Sequence, residues 1–126
     1  MRHLLSTFAV AAALTATGVT PAVAAERTPA ATAVASCYGG AVYFDAVLGA
    51  WPRNGKDWAY TTSRCADINV KPNKGSWASV CFKATATCNG RTWAAAGQWT
   101  VVATNVKDGT GFYLAFQTPV DGYAAY

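Results

Sequence analysis

Gly97–Phe116 reads GQWTVVATNVKDGTGFYLAF, the longest uninterrupted run of β-forming residues in the chain, and its reading decides the fold. Val106-Lys107-Asp108-Gly109 suits a type I turn followed by a glycine in the left-handed region, the usual three-residue hairpin loop. Gly109 takes the positive φ without a Cβ penalty. The turn predicts a hairpin in which Val106 faces Thr110, Thr104 faces Phe112, Val102 faces Leu114 and Thr100 faces Phe116. One face then carries Val102, Val106, Phe112, Leu114 and Phe116, a core face. The other carries Trp99, Val101, Ala103, Tyr113 and Ala115 and is apolar as well. Half-exposed antiparallel strands alternate apolar with polar residues, so this second face calls for a cover or a use. Two readings stand: another part of the domain packs on it, or Trp99 and Tyr113 form an exposed platform for a ligand.

Shorter strands surround this run. Ala41–Phe44 follows Gly39-Gly40, and Trp58–Thr61 follows a loop over Gly49–Lys56, where Trp51-Pro52 and Asn54-Gly55 break regular structure. Asp67–Lys71 alternates strictly, with Ile68 and Val70 on one face, and ends at Pro72-Asn73-Lys74-Gly75. Trp77–Lys83 sets Ala78, Val80 and Phe82 against Trp77, Ser79 and Cys81, while Ala84–Thr87 is ambiguous between strand and loop. Asn89-Gly90 reads as a two-residue hairpin turn, with Arg91–Ala95 returning. No segment after the N-terminal stretch shows a sustained helical period. The expected fold is all-β, a small disulfide-stabilised antiparallel sandwich or partly open barrel of about six or seven short strands.

The ends read differently. Met1-Arg2-His3, the apolar Leu4–Val19 and the small residues of Pro21–Ala25 form a secretory signal peptide over 1–25, cut after Ala24 or Ala25. Residues 26–36 are alanine, threonine and proline with almost no large side chains, a flexible leader too poor in apolar surface to offset its ordering entropy. The β domain is expected over 37–117, and 118–126 (TPVDGYAAY) as a C-terminal tail that frays. No later apolar stretch reaches the roughly 20 residues of a membrane span. The expectation is a secreted, extracellular protein.

Four cysteines, Cys37, Cys65, Cys81 and Cys88, make an even set in an exported chain, so disulfides are the default. Zinc is the rival, but no histidine survives the cut and no C-x₂-C spacing is present. Of three possible pairings, Cys37–Cys65 with Cys81–Cys88 is expected, because the second link ties the two arms of the Phe82–Thr87 excursion.

The cut also removes chemistry. His3, the one histidine, leaves with the signal, and with it every Ser-His-Asp or Cys-His arrangement. Nine basic and six acidic residues remain, a net charge of +3 with no arginine or lysine cluster, so nucleic-acid binding has little support. A carboxylate pair would have to come from residues such as Asp45 and Asp57, which nothing in the spacing requires to meet. Asp67-x-Asn69 and Asn105-x-x-Asp108 offer oxygens, too few for calcium, and read as turn and strand-edge polars. No metal site, cofactor or catalytic residue is expected. The aromatics are what remains: five tryptophans, of which Trp58, Trp93 and Trp99 are read as core and Trp51, in a loop beside Pro52 and Arg53, as the candidate for exposure.

TTSRCADINVKPN (Thr61–Asn73), SVCF (Ser79–Phe82) with Cys88-Asn89, and the Gly97–Phe116 run together resemble uncharacterised small secreted proteins of actinobacteria, over roughly the last half of the chain. The resemblance implies a compact extracellular domain and brings no activity or ligand. The four-cysteine β-sandwich amylase inhibitors of actinobacteria are of the same general kind. Their Trp-Arg-Tyr tripeptide is missing here, Trp58-Ala59-Tyr60 being no match. The expected function is that of a non-enzymatic extracellular interaction protein of inhibitor or antagonist type. The alternative is a polysaccharide or cell-envelope binding module using Trp51, Trp99 and Tyr113.

Overall fold

The computed structural model describes residues 36–126. The expected signal peptide, and all but the last residue of the expected leader, lie outside the described residues. Ten strands are present among the described residues: β1 Val42–Ala46, β2 Ala50–Trp51, β3 Ala59–Tyr60, β4 Ile68–Pro72, β5 Ser76–Phe82, β6 Thr87–Cys88, β7 Thr92–Ala94, β8 Thr100–Ala103, β9 Gly111–Phe116 and β10 Val120–Ala125. All pair antiparallel. The first sheet runs β1-β10-β4-β8. The second is centred on β9 and β5, with one edge of β9 taken by β2 and β3 and the outer edge of β5 by β6 and β7. The fold is an all-β sandwich with two disulfides, Cys37–Cys65 and Cys81–Cys88, the sequential pairing.

The core lies between the sheets. Phe44, Ile68, Val70, Val102, Val120 and Ala124 come from the first sheet, and Ala78, Val80, Phe112, Leu114 and Phe116 from the second. Phe44 stacks on Phe116 across the gap, ring centroids 5.0 Å apart. The alternation expected on Asp67–Lys71 holds for Ile68 and Val70. Asn69 is on the opposite face but is also buried, under Cys37.

The largest departure concerns the run that decides the fold. Its two arms do not pair with each other: β8 joins β4 in the first sheet, and β9 joins β5 in the second. The turn exists, with Gly109 at φ +76°, but it is an arch from one sheet to the other. The physical reason is the segment between β3 and β4, which inserts between the arms and takes their backbone groups. The buried Thr61 hydroxyl donates to the Lys107 carbonyl (2.6 Å) and accepts from the Thr110 N–H (2.9 Å). Thr61 N–H donates to Thr110 O, and Gly109 N–H to Thr61 O. Val106 N–H reaches Ala66 O, and Asn105 N–H reaches the Asp67 carboxylate. A hairpin ladder would satisfy the same groups, so local turn chemistry alone does not choose between hairpin and arch.

Two further expectations are corrected. Asn89-Gly90 is not the hairpin turn, since β5 reverses into β6 through Lys83–Ala86. Asn89 instead stands in for a strand residue. Its carboxamide accepts from Val80 N–H (2.8 Å), and its Nδ2 donates to Val102 O (2.6 Å) on β8, linking the two sheets. The segment 118–126 is no frayed tail, because β10 is an inner strand of the first sheet, hydrogen-bonded on both sides. Pro119 precedes that strand, and Gly122 is there because β10 passes close to β4. The count exceeds the expected six or seven because β2 and β6 are two-residue pieces and β10 was read as tail.

Candidate functional site

The three residues expected to bind ligand are placed in separate surroundings, each partly buried. Trp51 is not a loop residue presented to solvent. It sits in β2, 6.4 Å from Phe44 and 6.2 Å from Tyr126, as a flank of the core. Trp99 leads into β8 on the outer face of the first sheet. Tyr38 stacks flat on it at 4.6 Å, and Lys71 lies 6.0 Å from its ring on the neighbouring strand. Tyr113 points outward from β9 in the second sheet, 5.6 Å from Trp58, with the Arg53–Gly55 turn against it. Because β8 and β9 belong to different sheets, Trp99 and Tyr113 face away from each other. The second apolar face of the expected hairpin is therefore two outer faces, each covered in part by a neighbouring ring.

The carboxylates are distributed too. Asp45 stands opposite Asp121 in register, and Asp57 stays in its own loop, where its carboxylate accepts from Trp58 N–H. Asp67 and Asn69 spend their oxygens and amide within the arch and beneath the disulfide.

Two exposed surfaces were missed. The first surrounds β1 and β10. The turn Ala46–Gly49, closed by Gly49 N–H to Ala46 O at 2.9 Å, holds Val47 and Leu48 at its tip, 59% and 73% exposed. Turn tips favour Gly, Pro, Asn, Asp and Ser, each for a backbone reason that valine and leucine do not meet. Neither side chain packs on the core. Behind the tip lie Tyr43 and Tyr123, half-exposed and edge to face at 5.9 Å on adjacent strands. Two shallow depressions of about 280 and 350 Å³ meet here at Tyr43, Asn73 and Asp121. The sequence did not signal it, because Val47-Leu48 carries none of the residues that mark a turn.

The Tyr43 hydroxyl donates to Asp121 Oδ2 at 2.7 Å. That bond to a carboxylate, ahead of desolvation and the nearby negative charges, pushes its pKa up to about 12. The folded value lies above the unfolded one, so the contact contributes fully below pH 10 and is lost as pH rises through about 12. A phenolate absorbance titration is expected to show two late tyrosines, Tyr43 and the Tyr126 that burial also pushes up, of which only Tyr43 moves back toward the ordinary value in Asp121→Asn. An unchanged curve in that variant would overturn the assignment.

The second surface is on β5 and β7. Trp77 and Trp93 are register partners, 43% and 50% exposed, with ring centroids 5.5 Å apart at 68°. Trp93, expected in the core, is exposed instead. Trp77 alternates with the buried Ala78 and Val80, and that parity is the signal that places it outside. Comparison with protein-family models, with curated proteins and with solved structures finds no match for this chain.

Proposed function

We propose that the chain is an exported, non-enzymatic binding protein of inhibitor or antagonist type, which meets a partner protein with the Val47–Leu48 turn and the tyrosine surface behind it. The observation that carries this reading is the turn itself. Two adjacent aliphatic side chains stand in solvent on a hydrogen-bonded turn between strands, contributing nothing to the core. Such a projection presents apolar surface that is already ordered, so little conformational entropy is lost when a pocket closes on it. Tyr43 and Tyr123 add amphipathic area of the type that concentrates binding energy. The two disulfides and the expected signal peptide suit an extracellular setting.

The test is a screen of secreted hydrolases and competing microbes with the purified exported protein, followed by Leu48→Asp. At least one target is expected to be inhibited or captured in a stoichiometric complex. Leu48→Asp is expected to weaken that complex by roughly 2 kcal/mol while leaving the unfolding midpoint unchanged. No affected target, or full potency in Leu48→Asp, would count against the reading.

A further inference from the structure

We infer that the Trp77–Trp93 corner is a second binding site, for a pyranose ring of an extracellular polysaccharide. Three observations carry it. The first is rigidity. Trp93 packs against Gly75, so closely that a Cβ there would come within 2.6 Å of its Cζ2. Gly75 thus backs part of the indole, and half of Trp93 stays exposed beside Trp77. The second is shape. The next outward positions beyond Trp77, Ser79 on β5 and Ala115 on β9, carry small side chains. A ring stacked on one indole and walled by another at 68° fits a flat, C–H-rich face such as a sugar presents.

The third observation is charge. The described acids lie elsewhere: Asp45 and Asp121 on the first sheet, Asp57 in the β2–β3 loop, Asp67 and Asp108 at the arch. Arg91 leads into β7, while Lys74 lines the depression beside Tyr43 and Asp121. An ammonium ligand would find none of the described carboxylates on β5 or β7 and a cation, Arg91, at the start of β7, which disfavours the aromatic-cage chemistry of methylated lysine or choline. The polar groups at hand are neutral or donating: the Ser79 hydroxyl, the exposed Gln117 amide next to Trp77, and Arg91. These suit sugar hydroxyls. The site is independent of the Val47–Leu48 turn, which projects from the β1–β2 corner.

The experiment is retention of the exported protein on cellulose, chitin and peptidoglycan, with tryptophan fluorescence titrations using cello- and chito-oligosaccharides. Retention on at least one polymer and an emission change with its oligosaccharide are expected. Trp93→Ala is expected to lower that affinity about tenfold or more, and Trp93→Phe by less, because a smaller stacking face remains. Matching unfolding midpoints of Trp93→Phe and the unaltered protein separate a lost contact from a lost fold. Retention unaffected by Trp93→Ala, no retention with unchanged fluorescence, or a response to a proline-rich peptide but to no sugar would each overturn the inference. The screen for protein targets reads a different turn, so either result stands without the other.

Discussion

Gly122→Ala is expected to destabilise the domain by about 3 kcal/mol, at the upper end of what overpacking costs. A Cβ on Gly122 would press into the Lys71 carbonyl oxygen and sit 2.8 Å from Pro72 Cα, both backbone atoms of β4. Backbone cannot swing aside as a side chain does, so β10 and β4 would have to separate along the middle of the first sheet. Alanine carries an opposing benefit, since it restricts the unfolded chain and stabilises by roughly 0.4–1 kcal/mol where its Cβ fits. The steric term is several times larger and decides the sign. Gly90→Ala is the control: its Cβ would meet nothing within 4 Å. Urea unfolding should show a lower midpoint for Gly122→Ala and little change for Gly90→Ala. Equal midpoints would mean that the close approach of β10 and β4 is not a constraint on the sequence.

Position 122 also shows why part of the fold was hidden. Glycine in a strand usually weakens it, so Gly122 beside Pro119 and two small alanines reads as a fraying end. The reason for the glycine lies on another strand, at Lys71 and Pro72, which no local pattern displays. The same holds for Thr61. The turn at Lys107–Gly109 was legible because it depends on residues next to each other. Whether its arms close into a hairpin or open into an arch depended on a threonine forty-six positions from Lys107. The alternations of β4 and β5, and the pairing of Cys81 with Cys88, are short-range and were readable. The surfaces divide the same way. Trp99 and Tyr113 were grouped because a hairpin would place them on one face, and they separated when the arms went to different sheets. Leu48 was hidden for a local reason: Val47 and Leu48 have none of the backbone preferences that mark a turn, so the apolar pair reads as a continuation of the strand.

Replacing Cys37 and Cys65 together with serine is expected to cost about 4 kcal/mol, more than the same change at Cys81 and Cys88, roughly 2.5 kcal/mol. Loop closure alone orders them, because the first link spans 28 positions and the second seven. Packing widens the difference. The Cys37–Cys65 bridge lies with Ala125 in a second small core on the outer face of the first sheet, over Asn69, and Tyr38 beside it stacks on Trp99. Freed of the bridge, residues 36–39 lose their hold on that face, and the buried Asn69 amide, bonded to Ala125 O and Asp67 O at 3.3 Å each, opens to water. Cys88, by contrast, is exposed on the outer edge of the second sheet. Net stabilities of small domains are typically ~5–15 kcal/mol, so the first variant is left near the lower limit of a folded population. Denaturant midpoints measure the order, and tryptophan emission reports whether Tyr38 still covers Trp99. A larger loss at Cys81–Cys88 would reverse the argument. The bridge also sets which part of the first sheet is free to bind: it closes the half around Trp99, leaving Tyr43, Tyr123 and the Val47–Leu48 turn as the open half. Its loss should therefore uncover apolar surface at Trp99 before it disturbs the surface proposed to meet a partner.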